Sequence, residues 1–208
     1  MSPEPWVCLM YHDVTLEAVG VSGGPRHFSV NRRTFGDQLD RLSALGYRAR
    51  SVAECLADPL PRQVAISFDD GDLGQFENGC SELVARGMTA TFFITTDWVE
   101  RPGYVTWHQL RQMKAAGMSI QSHSRSHPFL SELEAPALRA ELEESRRRLD
   151  DELGQETDTL ALPDGDRPRR ALRGLIRSAG YRVVATSRWG VNRGRPGEAG
   201  LTWVRRCT

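Results

Sequence analysis

The 208-residue chain predicts one α/β domain, residues 1–208, whose mainly parallel sheet closes toward a barrel. Three observations predict it. Short apolar runs alternate with helix-patterned stretches along the whole chain. Helical stripes stop at Gly46, Gly87, Gly117 and Gly180, each just ahead of the next apolar run. No linker, low-complexity stretch or repeat interrupts the alternation. The length suffices for a sizeable core and is slightly short for a full eight-fold barrel.

Residues 6–11 read as the first strand, ending at His12 and Asp13, and residues 15–30 as loop. From Asn31 a helix follows, with Phe35, Leu39, Leu42 and Leu45 on one stripe. Residues 47–51 are a short strand and 52–57 a helical turn before the break at Pro59 and Pro61. The central strand comes next. Residues 76–86 then form a helix with Phe76, Cys80, Leu83 and Val84 facing inward, and 89–95 (TATFFIT) a buried strand. Thr106 caps a helix carrying Trp107, Leu110 and Met113, and residues 118–122 are a strand leading into His123. Residues 136–153 are the longest helix. Its leucines, 138, 142, 149 and 153, form the apolar stripe, and its charges read as a solvated face with i,i+4 pairs. Residues 157–162 are a strand ending at Pro163, 168–179 a helix, and 181–187 and 201–207 the last two strands.

Composition narrows the function. Apolar residues are 39% and charged residues 26%, ordinary for a soluble globular protein. Lys plus Arg equals Asp plus Glu at 27 each, so no bulk field draws the chain to nucleic acid or anionic lipid. The four cysteines form no C-x-x-C pair, and three sit among apolar neighbours as buried thiols, which suits a reducing compartment. The opening MSPEPWVCLMYH is neither a signal peptide nor a membrane span. The expectation is a cytoplasmic protein with no membrane insertion.

The chain is organised around Val64-Ala65-Ile66-Ser67-Phe68-Asp69-Asp70-Gly71-Asp72. An apolar run closed by a turn residue is how a buried parallel strand reads. Asp69 and Asp70 then sit at the strand's C-terminal tip, where such folds keep their active sites. Neighbouring side chains on a strand point to opposite faces, so one carboxylate can hold a metal while the other handles a proton. The bland alternative is a solvated acidic turn.

The second signal is His123-Ser124-Arg125-Ser126-His127. Two strand residues four apart are about 13 Å distant, too far to share an ion. In a helical turn they are about 6 Å apart and can chelate one. Pro128 disfavours α conformation at His127, which predicts a single tight turn at a strand tip. With five histidines in the chain, chance spacing is the competing reading. Joined to a strand-tip carboxylate, the pair completes an Asp-His-His set with open positions for water, as catalytic zinc sites are built.

These motifs resemble those of polysaccharide deacetylases of the NodB-homology type, carbohydrate esterase family 4. The first family motif stands as Ser67-Phe68-Asp69-Asp70-Gly71 and the second as His123-Ser124-Arg125-Ser126-His127. A third region, usually ending Pro-Tyr-Gly, stands as Leu162-Pro163-Asp164-Gly165. Leu9-Met10-Tyr11-His12 and Phe28-Ser29-Val30 resemble the branch that includes deacetylases of poly-N-acetylglucosamine. The resemblance implies a distorted (β/α)-barrel, NodB-like, of about seven strands rather than eight. It implies Asp69 as general base and Asp70, His123 and His127 as ligands of a divalent transition metal, usually Zn²⁺. It further implies the Asp164 amide as oxyanion donor and an N-acetylated saccharide as substrate, polymeric or a precursor.

The sequence departs from the family pattern in four places. No histidine follows His127, so the family's late general acid is missing and His12 is the candidate, unless it merely bonds Asp13. Ala161 replaces the third motif's arginine, leaving Arg205 or its neighbour Arg206 to orient Asp69, with Arg205 as the candidate. Asp164 stands where an aromatic is usual, and Asp72 adds charge near the metal. Trp189, after a strand, is the expected sugar-stacking residue, while Trp98, Trp107 and Trp203 read as buried.

The leading expectation is a metal-dependent hydrolase that removes acetyl from an N-acetylated sugar. The runner-up is a deacylase of a non-sugar amide or imide on the same fold. An aspartyl phosphatase would use Asp70-Gly71-Asp72 but leaves the histidine pair idle, and the chain's one lysine, Lys114, lies in a helix. A non-catalytic sugar-binding relative is the third alternative.

Overall fold

The apolar runs build the sheet in a computed structural model that describes residues 4–16, 28–193 and 200–208. In chain order the strands are β1 (Val7–Tyr11), β2 (Val14–Thr15), β3 (Val30–Asn31), β4 (Arg48–Arg50) and β5 (Gln63–Phe68). There follow β6 (Thr91–Ile94), β7 (Ser119–Ser122), β8 (Thr159–Ala161), β9 (Val183–Thr186) and β10 (Thr202–Arg205). The main sheet runs β1-β5-β6-β7-β8-β9-β10, all parallel, with β4 set against the first half of β5. The ring closes through Cys207, whose carbonyl accepts the Met10 N–H at 2.7 Å while its own N–H reaches the Cys8 carbonyl at 2.8 Å. The result is a nearly closed, distorted barrel of seven strands, as the family resemblance implies. The short β2–β3 pair sits at the two ends of the stretch the sequence assigns to loop.

Helices cover the outside: α1 (Arg32–Ala44), α2 (Val52–Ala57), α3 (Ser81–Ala85), α4 (Trp107–Ala115), α5 (Ala135–Leu153) and α6 (Gly174–Ser178). Local chemistry sets their ends. The Asn31 side chain accepts from the Arg33 N–H, and Ser51–Glu54 and Thr106–Gln109 form capping boxes. Lys114 holds the end of α5 through the Leu153 carbonyl at 2.6 Å.

Three expectations need correction. The helix expected over 76–86 begins as a π-turn, Gln75–Cys80, before α3. There the Gln75 and Asn78 amides are drawn to the carbonyls of His12, Asp69 and Val14. The helix expected over 168–179 is broken into a 3₁₀ turn, Arg170–Leu172, and α6. Val84 and Leu45 end their stripes half exposed, at 50% and 46%. No described helix is long and apolar enough to cross a membrane.

Side-chain parity decides what the barrel mouth contains. Successive strand residues face opposite sides. Val64, Ile66 and Phe68 of β5, Phe92 and Ile94 of β6 and Ile120 of β7 pack outward into one apolar cluster. Leu160 and Val184 join a second beneath α5 and α6. The inward set is small: Cys8, Ala65, Ala161, Ala185 and Val204, plugged by Phe93. Small inward residues keep a narrow ring filled without strain. Counting onward by twos from Cys8, Ala65 and Val204 reaches His12, Asp69 and Arg206 at the C-terminal rim, and His123 follows outward-facing Ile120 by three.

Candidate active site

Asp69 is the most enclosed acid of this rim, only 3% exposed, and it faces the equally enclosed guanidinium of Arg206. The pair is bidentate: one Arg206 Nη donates to Asp69 Oδ1 and the other to Oδ2, the latter at 2.8 Å. Burial alone would push Asp69 up. Arg206, with His123 and His12 nearby, more than offsets it and holds the carboxyl down at about 2. Arg206 also lies over the Phe93 ring, 5.3 Å from its centroid. Arg205, the sequence candidate for this contact, has the opposite parity and is exposed. Its side chain runs over Gly190 instead, where an added Cβ would come within 2.7 Å of it.

Asp70, next in sequence, turns away from the strand with φ +81°. Its Oδ1 lies 3.5 Å from His123 Nε2 and 3.5 Å from His127 Nε2. Among the described residues it is a buried oxygen without a hydrogen-bond partner. Two atoms each ~2.1 Å from one tetrahedral ion lie ~3.4 Å apart, so these separations fit a shared cation. The donor chemistry fits as well. His123 Nδ1 donates to the Ala161 carbonyl at 3.0 Å, which leaves Nε2 free to act as a ligand. Burial, only partly opposed by Asp69, lowers His123 to about 4, so its imidazole is neutral. Burial, reinforced by Asp69, Asp72 and Asp164, pushes Asp70 up to about 8. A buried carboxylate crowded by acids beside two imidazole lone pairs suits a divalent ion.

The turn that carries both histidines is tight, as Pro128 requires. Ser124 and His127 both have φ +64°, a region that L residues enter at a cost. The His127 N–H donates to Ser124 Oγ at 3.0 Å, and the Ser124 N–H to Ser122 Oγ at 3.2 Å. From beneath, Glu141 of α5 accepts the N–H groups of Arg125 and Ser126.

Of the remaining candidates, His12 lines a cleft of about 340 Å³ together with Asp13, Asp70, Asp72, Trp98 and Tyr104, among others. His12 stacks on Phe28, ring centroids 4.9 Å apart, and its backbone carbonyl is held by Gln75. Burial lowers its pKa against the pull of Asp69. Asp164 tips the turn after β8 with φ +51°, and Gly165 beside it admits no Cβ because Ser187 would be 2.8 Å away. Trp189 is 69% exposed on the loop after β9. Trp98 corrects the expectation of burial. It is half-buried, lines the cleft and stacks on His127 with centroids 5.1 Å apart. Trp107 is buried as expected, whereas Trp203 is only half-buried, under the Arg167 guanidinium.

A sequence model of the polysaccharide deacetylases matches residues 57–184, more than half of the chain. The chain belongs to the polysaccharide deacetylase family. Among relatives of this deacetylase-family chain, YxkH of Bacillus subtilis is 26% identical over 185 residues, covering 86% of this chain and 63% of YxkH. The chain therefore spans less than two thirds of that relative's length. The deacetylase PplD of Streptococcus pyogenes, in complex with acetate, superposes with a TM-score of 0.84 at 24% identity, covering 98% of this chain and 93% of that one. IcaB from Ammonifex degensii gives a TM-score of 0.81 at 26% identity, covering 100% and 93%. The NodB-type fold of the deacetylase family is thus shared along the whole chain.

Proposed function

We propose that this polysaccharide deacetylase-family chain is a metal-dependent hydrolase that removes acetyl groups from an N-acetylated sugar. The observation that carries the reading is the unpartnered Asp70 Oδ1, equidistant from two histidine Nε2 atoms and one residue from a carboxylate locked to an arginine. Asp70, His123 and His127 would hold the divalent ion, most simply Zn²⁺. Such an ion supplies Lewis acidity that makes water nucleophilic near pH ~7.

Asp69 is the general base. At a pKa of about 2 it is a weak base but is ionised at every working pH, which suits a partner to water already made acidic. Arg206 is a positioning residue: it fixes both carboxylate oxygens, so the proton-accepting lone pair points in one direction. His12 supplies the proton that the leaving amine needs. Its lowered pKa makes the imidazolium a readier donor and leaves a smaller protonated fraction at neutral pH. The Asp164 N–H, in its constrained turn, serves the oxyanion that develops on the acetyl carbonyl. Trp98 and Trp189 offer apolar faces to sugar rings.

The direct test is acetate release from a panel of N-acetylated oligosaccharides. Activity should vanish on dialysis against a chelator and return on adding about one equivalent of zinc. Full turnover by rigorously demetallated protein would refute the reading, and glycan binding without acetate release would favour the sugar-binding alternative.

A further inference from the structure

We propose that Glu141 of α5 is a positioning residue that sets how tightly the Asp70–His123–His127 centre holds its cation. The inference rests on the metal reading given above. Glu141 is 4% exposed, although the sequence places it among charges expected to face solvent. A carboxylate is costly to bury unless its oxygens are fully matched, and here they are. Its Oε2 accepts the Arg125 N–H at 3.0 Å and the Ser126 N–H at 2.9 Å. Its Oε1 accepts the Ser126 hydroxyl at 2.7 Å and faces Arg125 Nη2 at 3.2 Å.

All four contacts fall on the two residues between Ser124 and His127, the residues that fix the spacing of the histidine pair. Those flanking positions, Ser124 and His127, are the two held at φ +64°, so the turn persists only if its surroundings over-determine it. The other ties to the backbone of the turn come from neutral groups: Ser122 Oγ, Ser124 Oγ, the Thr96 N–H on the Ser124 carbonyl and the Asp97 N–H, which donates to the Arg125 carbonyl at 2.8 Å. Glu141 alone brings a full charge to two successive backbone N–H groups. A glutamine there cannot match every donor: if its oxygen takes the two backbone N–H groups, its NH₂ faces the Arg125 guanidinium.

Outer residues that orient metal ligands typically change affinity about 10–100-fold when replaced. Cobalt(II) is the probe, titrated into metal-free protein by visible absorption and by competition with a chromophoric chelator. Glu141→Gln should bind cobalt about 10–100-fold more weakly than the unmodified chain and show an altered ligand-field spectrum. Glu144→Gln removes the exposed partner of Arg125 Nη1 and should stay within about twofold. Equal affinity and an unchanged spectrum in Glu141→Gln overturn the proposal. If that variant does not fold, Ser126→Ala reads the same carboxylate, and undiminished affinity there overturns it equally. An unmodified chain that takes up no cobalt would instead sink the metal reading and this inference with it.

Discussion

Replacing Arg206 with methionine lowers the free energy of unfolding by about 3–5 kcal/mol, because it strands the Asp69 carboxylate in the barrel without its counter-charge. Both groups are almost wholly enclosed, so solvent cannot take over from the guanidinium. The pH dependence has a definite sign. Asp69 has a lower pKa folded, about 2, than its ordinary 3.8. Its contribution to stability is therefore fully present above pH ~4 and fades as the pH falls toward ~2. In Arg206→Met that acid-side loss should disappear, since the lone buried carboxyl now prefers its proton. Urea unfolding between pH 2 and 7 reads both effects. The double variant Asp69→Asn/Arg206→Met should be less destabilised than the sum of the single variants, because neither leaves the other's charge behind. A single Arg206→Met variant with unchanged stability would show that the pair does not hold the barrel mouth together.

Asp69→Asn should lower kcat by about 10²–10⁴-fold, the usual contribution of a positioned general base. The same variant should still bind one equivalent of metal, because the unpartnered oxygen between the histidines belongs to Asp70. Steady-state acetate release together with metal analysis separates the two roles. If Asp69→Asn loses its metal and its activity together, the division of labour between the adjacent aspartates is wrong.

The fold and half of the candidate site are readable from the chain, for local reasons. Asp69 and His123 sit directly after strand-like runs, with Asp70 one residue and His127 four residues further on, and strand tips of parallel sheets converge on one rim. Arg206 resisted because its neighbours Trp203 and Val204 are both apolar. Either could face inward, so only the observed register shows that 204 and 206 share the interior and Arg205 does not. Glu141 reads as solvated among its charged neighbours, although the sequence carries a signal against that. It lies between Leu138 and Leu142, on the stripe that also buries Ser145 and Leu149, and a charge on an apolar stripe calls for a partner. Trp98 reads as core in the sequence, although it follows β6 at the same rim as the motifs. The β2–β3 pair was illegible because two-residue strands leave no periodicity.

Diffraction data from crystals grown with zinc, collected on either side of the zinc absorption edge, test the centre most directly. The account predicts one anomalous peak within ~2.0–2.2 Å of Asp70 Oδ1, His123 Nε2 and His127 Nε2 together. Zinc bound elsewhere, with those three atoms beyond reach of any common ion, would contradict it.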